Sequence, residues 1–215
     1  MPIQKHPLII NTSEQGFSLV EITVGFTIAS AILAAMAPFL LLTVSTRVQN
    51  YRAEQAMQLA QSQINRVQTL MTQGVPKNQE LGKIPPAAAP GAKVAQVGPP
   101  TSLVKKPEEL DSPTKALEID YDNDNNPEFI VQMFRDEGIR FDVEDGLAVF
   151  QIGIRVYAGV AKDNLGSLST QAASINFIQG LGQQKTQPLA VLYTEVSRSD
   201  LKPSLERYQD YLNQL

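Results

Sequence analysis

The chain has no cysteine and no tryptophan, and only one histidine. Without cysteine there can be no disulfide, no thiolate nucleophile and no thiolate metal ligand. His6 alone, close to the N-terminus, excludes a multi-histidine metal centre and Ser/His catalysis, and it reads as a solvated residue. A strong charge of one sign is missing as well. Lys and Arg number 18 against 22 Asp and Glu, the net charge is -4, and the basic residues are scattered, so no nucleic-acid partner is inferred. The paired acids Glu108-Glu109 and Asp136-Glu137 stand in polar stretches and read as solvated surface. The "GLGQ" that starts at Gly180 lacks the spacing of a phosphate loop. No catalytic constellation emerges, and an enzyme is not expected.

Hydrophobic residues make up 43% of the chain, and much of that share sits between Phe17 and Val44. Ile22 to Val44 contains no charge. As a helix this run spans roughly 35 Å, enough to cross the hydrocarbon of a bilayer. The apolar core of a secretory signal peptide is shorter, about 7 to 15 residues. Ala35-Met36-Ala37 offers a small-x-small cut, but cutting there leaves the polar leader and Glu21 without a role.

Beyond Arg47 the composition turns polar while the period stays helical. Ala53, Met57, Ala60, Ile64, Val67 and Met71 recur at steps of four and three, which predicts one apolar stripe. Arg52, Gln55, Gln58, Gln63 and Arg66 fill the other faces. Gly74 and Pro76 supply the stop. The expectation is one helix over 17–73, roughly 85 Å long, with 22–44 in the membrane and Pro38 as its one interior breaker.

"GFSLVEITV", from Gly16 to Val24, resembles the N-terminal signature of the type IV pilin and type II secretion pseudopilin family. The signature is a Gly, a Phe, a small hydroxyl residue, two aliphatics, a Glu and a long apolar helix. Pro38 falls where such helices often carry a bending proline. The resemblance covers about Gly16 to Leu42 and implies a leader over 1–16. It implies that a prepilin peptidase cuts between Gly16 and Phe17 and N-methylates Phe17. It further implies that Glu21 is a docking charge, and that the partners are other pilin or pseudopilin subunits, an inner-membrane assembly platform and the lipid bilayer. The N-terminus would be cytoplasmic and the head extracytoplasmic. Lys5 on one flank, against Arg47 and Arg52 on the other, taken alone weakly favours the reverse orientation.

Residues 74–117 are rich in Pro, Ala and Gly ("KIPPAAAPGAKVAQVGPP") and predict a flexible or extended segment. From 118 to 215 strands are expected at Glu128–Phe134, Leu147–Ala158 and Leu189–Val196, with a hairpin turn at Asp145-Gly146. Leu201, Leu205, Tyr208 and Leu212 predict a closing amphipathic helix. The fold class is therefore α+β, a long helix packed on a small antiparallel sheet of about four strands. "DYDNDNNPE" sets Asp120, Asp122 and Asp124 at alternate positions, as a calcium loop opens. The EF-hand pattern fails at its sixth place, Asn125, and its twelfth, Val131; the alternative is an Asx-rich turn. The functional expectation is a minor pilin or pseudopilin, and the other reading is a signal-anchored extracytoplasmic binding module that enters no fibre.

Overall fold

A computed structural model describes residues 18–73, 84–140, 147–172, 183–198 and 203–213. The chain falls into two units, Met1–Val44 and Ser45–Leu215. One helix, α1 (Leu19–Thr72), has residues in both.

In the first unit, every side chain described from Ser18 to Phe39 is exposed. Leu19, Phe26, Leu33 and Phe39 are each at least 70% exposed, so among the described residues this stretch has no apolar covering. It is one helix long and apolar enough to cross a membrane.

The second unit is built on a six-stranded sheet: β1 (Ser102–Val104), β2 (Lys115–Ile119), β3 (Phe129–Arg135), β4 (Ile139–Arg140), β5 (Leu147–Ala158) and β6 (Ala190–Ser197). The spatial order is β1-β2-β3-β5, with β4 and β6 also pairing β5. β5 matches the expected strand residue for residue. The antiparallel expectation needs correction, because β1 pairs parallel with β2 and the sheet is mixed. Residues 105–114 carry the chain back across the end of the sheet, which a parallel pair requires and a tight hairpin cannot do. The hairpin turn expected at Asp145-Gly146 lies outside the described residues; β4, which was not among the expected strands, pairs antiparallel with β5.

One face of the sheet packs on the second half of α1. Ala56, Ala60, Ile64, Val67 and Met71 meet Phe129, Val131, Met133, Phe150, Ile152, Ile154 and Val156 in one apolar cluster. The stripe is rotated slightly from the expected one: Ala56 is buried, whereas Met57 is 38% exposed. A small residue at 56 brings the helix backbone close to the sheet, and a flexible Met on the flank costs little.

The opposite face is covered too. The Pro/Ala/Gly-rich segment forms a strap from Ile84 onward, more ordered than its composition suggested. Ala87 bridges Arg135 in parallel, and Ala88, Val94 and Val97 pack on Phe134. Gly153 of β5 makes room for this layer. A Cβ there would lie 2.5 Å from the Phe134 ring and 2.7 Å from Val94. Ala116, Ile130, Tyr157, Ala161 and Leu168 complete the covering. With both faces occupied, all seven residues of β3 are buried, although the strand contains Gln132 and Arg135.

A closing helix, α2 (Pro203–Leu212), lies against β5 and β4. Its buried aromatic is Tyr211; Leu212, assigned to the apolar stripe by its spacing, is 49% exposed.

Candidate functional site

Two places bear on function: the start of α1, and the loop between β2 and β3. At the first, Gly16 and Phe17 lie outside the described residues. Ser18 begins the helix: its Oγ accepts the Val20 backbone N–H at 3.4 Å, and its carbonyl accepts that of Ile22 at 3.1 Å. Glu21 is exposed in the first turn, where the helix dipole favours a negative charge. Three threonine hydroxyls farther along are satisfied within the helix. Thr23 donates to the Val20 carbonyl at 2.9 Å, Thr27 to Thr23 at 2.7 Å and Thr43 to Phe39 at 2.8 Å. A threonine bonded this way can stand in hydrocarbon with no outside partner. Helix α1 continues through Pro38, whose missing N–H deprives the Ala34 carbonyl of its usual donor.

At the second place, one carboxylate oxygen from each of Asp120, Asp122 and Asp124 lies within 4.8 Å of the others. Backbone N–H groups hold the loop. Asp120 Oδ2 accepts from Asn125 at 3.0 Å, Asp122 Oδ1 from Asp124 at 3.2 Å and Asp124 Oδ1 from Asn126 at 2.6 Å. Glu128 Oε2 reaches back to the N–H of Tyr121 at 2.8 Å. Asn123 and Asn125 adopt φ of 57° and 66°. Asparagine enters this left-handed region more readily than other side-chain-bearing residues, so Asn125 gives the bend for which a glycine was missing. Val131, at the twelfth place, is buried in the core and faces away from any ion. Asp120 Oδ1 is buried without a hydrogen-bond partner. The Asp124 backbone N–H draws the Asp122 carboxyl downward, yet desolvation and the charges of Asp124, Glu128 and Asp120 outweigh it and leave it above its usual value. These are all hard oxygen donors with an excess of negative charge, the kind of donor that calcium takes.

Sequence reasoning missed a third feature, a buried cation whose hydrogen-bond partners among the described residues are carbonyls, an amide and a phenol. Arg155 is fully buried. Its Nη1 donates to the carbonyls of Val97 at 2.8 Å and Gly98 at 3.1 Å, and Nη2 to the Tyr193 hydroxyl at 3.0 Å. The guanidinium lies 4.7 Å from the centre of the Phe134 ring. Gln132 adds bonds from its Nε2 to the carbonyls of Gly98 at 2.9 Å and Pro113 at 2.8 Å. These side chains explain why the strap is ordered: they satisfy carbonyls that its own Pro- and Ala-rich sequence cannot. The only signal in the sequence was an arginine inside the apolar run "IGIRVYA".

Comparison of the chain with family models, with curated proteins and with solved structures returns no match.

Proposed function

We propose that this chain is a minor pilin or pseudopilin: a membrane-stored structural subunit, cut after Gly16, that enters a type IV pilus or secretion pseudopilus through its N-terminal helix. The observation that carries this reading is the carboxylate Glu21, one turn after the cut site and ahead of the charge-free run Ile22 to Val44, which is exposed wherever its side chains are described. Cleavage frees an amine on Phe17. An unpaired carboxylate in hydrocarbon costs about 2.5 kcal/mol or more. Pairing Glu21 with the Phe17 amine of a neighbouring subunit removes that cost, and a dry fibre core leaves salt little power to screen the pair. Membrane storage and fibre entry are thus two states of one helix, with its apolar surface in lipid first and against other subunits later. Prepilin peptidase and the inner-membrane assembly platform act on it in that order, and the head lies on the extracytoplasmic side.

Mass spectrometry of the protein recovered from its native membrane tests the reading. The expected N-terminus is N-methyl-Phe17, and Gly16→Leu should leave the leader attached. An intact leader on the wild-type chain sinks the fibre reading and favours the anchored binding module.

The subunit reading requires no cofactor; separately from it, we propose that Asp120, Asp122 and Asp124 can hold a calcium ion in the loop. The ion would supply the positive charge that these carboxylates lack and would tie the β2–β3 connection down. Thermal melting in calcium and in chelator should differ by several degrees in the wild type and by none in Asp122→Asn/Asp124→Asn. Coincident wild-type curves remove the assignment.

A further inference from the structure

After the charge-free run, α1 does not turn polar on every side at once. Ala56, Ala60 and Ile64 face the sheet. At about 100° per residue, positions 44, 47, 48 and 51 fall on the opposite side of the helix. That side carries Val44, Arg47, Val48 and Tyr51, all exposed; Val44 is 61%, Val48 49% and Tyr51 62% accessible. Farther along the same side come Glu54, Gln58, Ser62 and Asn65, each polar and exposed. The apolar character of this face therefore ends at a tyrosine, with an arginine one turn before it. Tyrosine and arginine suit the layer between hydrocarbon and water, where a ring sits among the headgroups and a guanidinium finds phosphate.

We propose that Val44, Arg47, Val48 and Tyr51 form an interfacial anchor, a helix face that lies in the lipid headgroup layer while the head packs on the other side of α1. The inference rests on reading Ile22 to Val44 as the membrane span. Lengths agree with it. As a helix that run is roughly 35 Å long against about 30 Å of hydrocarbon, and a span longer than the bilayer core tilts. Beyond Val44, tilting lowers one side of the helix onto the membrane and raises the other. Tyr51 comes only about 10 Å after Val44 along the axis, close enough for its ring to reach the lowered polar layer. Charge favours lipid over a second copy of the same face, because a symmetric helix pair would set Arg47 against Arg47, whereas phosphate is its opposite charge. The anchor thereby sets where the helix leaves the membrane and which side of the head faces it.

The chain has no tryptophan, so one substitution gives one emitter. The full chain carrying Tyr51→Trp is reconstituted in vesicles of phosphatidylcholine and phosphatidylglycerol. It should lose most of its emission to lipids brominated just below the headgroup, and little to lipids brominated near the methyl ends. Phe26→Trp, inside the apolar run, should show the reverse order. Tyr121→Trp, on an exposed loop of the head, should be quenched by neither. Adding Arg47→Gln to Tyr51→Trp should weaken the shallow quenching. An unquenched Tyr51→Trp beside a quenched Phe26→Trp overturns the anchor and leaves the membrane span standing; if neither is quenched, the span itself fails. Emission from Tyr51→Trp that is shifted to the blue yet unquenched in dilute vesicles assigns the face to a second copy, which also overturns the anchor. So does equal quenching of Tyr51→Trp and Tyr121→Trp.

Discussion

Glu21 and Arg155 are both charges in apolar settings, and they differ in what surrounds them. Arg155 has its partners within its own chain, the strap carbonyls and Tyr193. Glu21 is exposed on the first helix turn, ahead of a run with no charged residue from Ile22 to Val44, and the proposed docking role draws its counter-charge from another chain. The expected outcome for Glu21→Ala is normal membrane insertion and normal leader removal, with the mature protein largely absent from sheared fibres. Fibre fractions carrying wild-type amounts of that variant would falsify the docking role. Glu21 was legible in the sequence because a lone acid before a charge-free run has few explanations. Arg155 was not, because nothing local tells which segment will cover its face of the sheet. The Asp120 cluster falls between these cases: its spacing was visible, whereas the positive φ of Asn125 and the unpartnered Asp120 Oδ1 needed coordinates.

Among the elements, α1 and β5 were the most legible, since a helical stripe and a twelve-residue alternating run are strong periodic signals. The strap was the least. Its composition has no period, and its order comes from Gln132 and Arg155, far away in sequence. Parallel pairing of β1 with β2 was hidden for the same reason, because a three-residue strand carries almost no pattern. If Arg155 is what fixes the strap, Arg155→Met should destabilise the head by about 2 kcal/mol, the cost of leaving the Val97 carbonyl buried without a donor. A urea titration followed by circular dichroism checks the size of the loss. Limited proteolysis should show earlier cleavage between Ile84 and Gly98, and unchanged cleavage there would separate Arg155 from the strap.

A buried phenol, Tyr157, should make the head less stable at alkaline pH. Tyr157 is fully buried and donates to the Ser169 carbonyl at 3.0 Å. Burial pushes its hydroxyl from the ordinary 10 up to about 12. Because the folded value is raised, the stabilisation is complete below pH 10 and is lost as pH rises toward 12. The loss amounts to roughly 3 kcal/mol. Tyr157→Phe has no such proton to lose. Near neutral pH it should be the less stable protein by about 1 kcal/mol, for want of one hydrogen bond. By pH 12 the order should reverse. Denaturant midpoints of the two proteins at several alkaline pH values show whether the curves cross, and parallel curves would remove Tyr157 as the cause.

Layers lie on both broad sides of the sheet, helix on one and strap on the other, so on the proposed reading a companion subunit meets the perimeter of the head. Turns, strand ends and the backs of the covering segments are where a neighbour can be met. Substitutions there can change which companions are accepted while the interior stays as it is, so the family of contacts can drift faster than the fold that carries them.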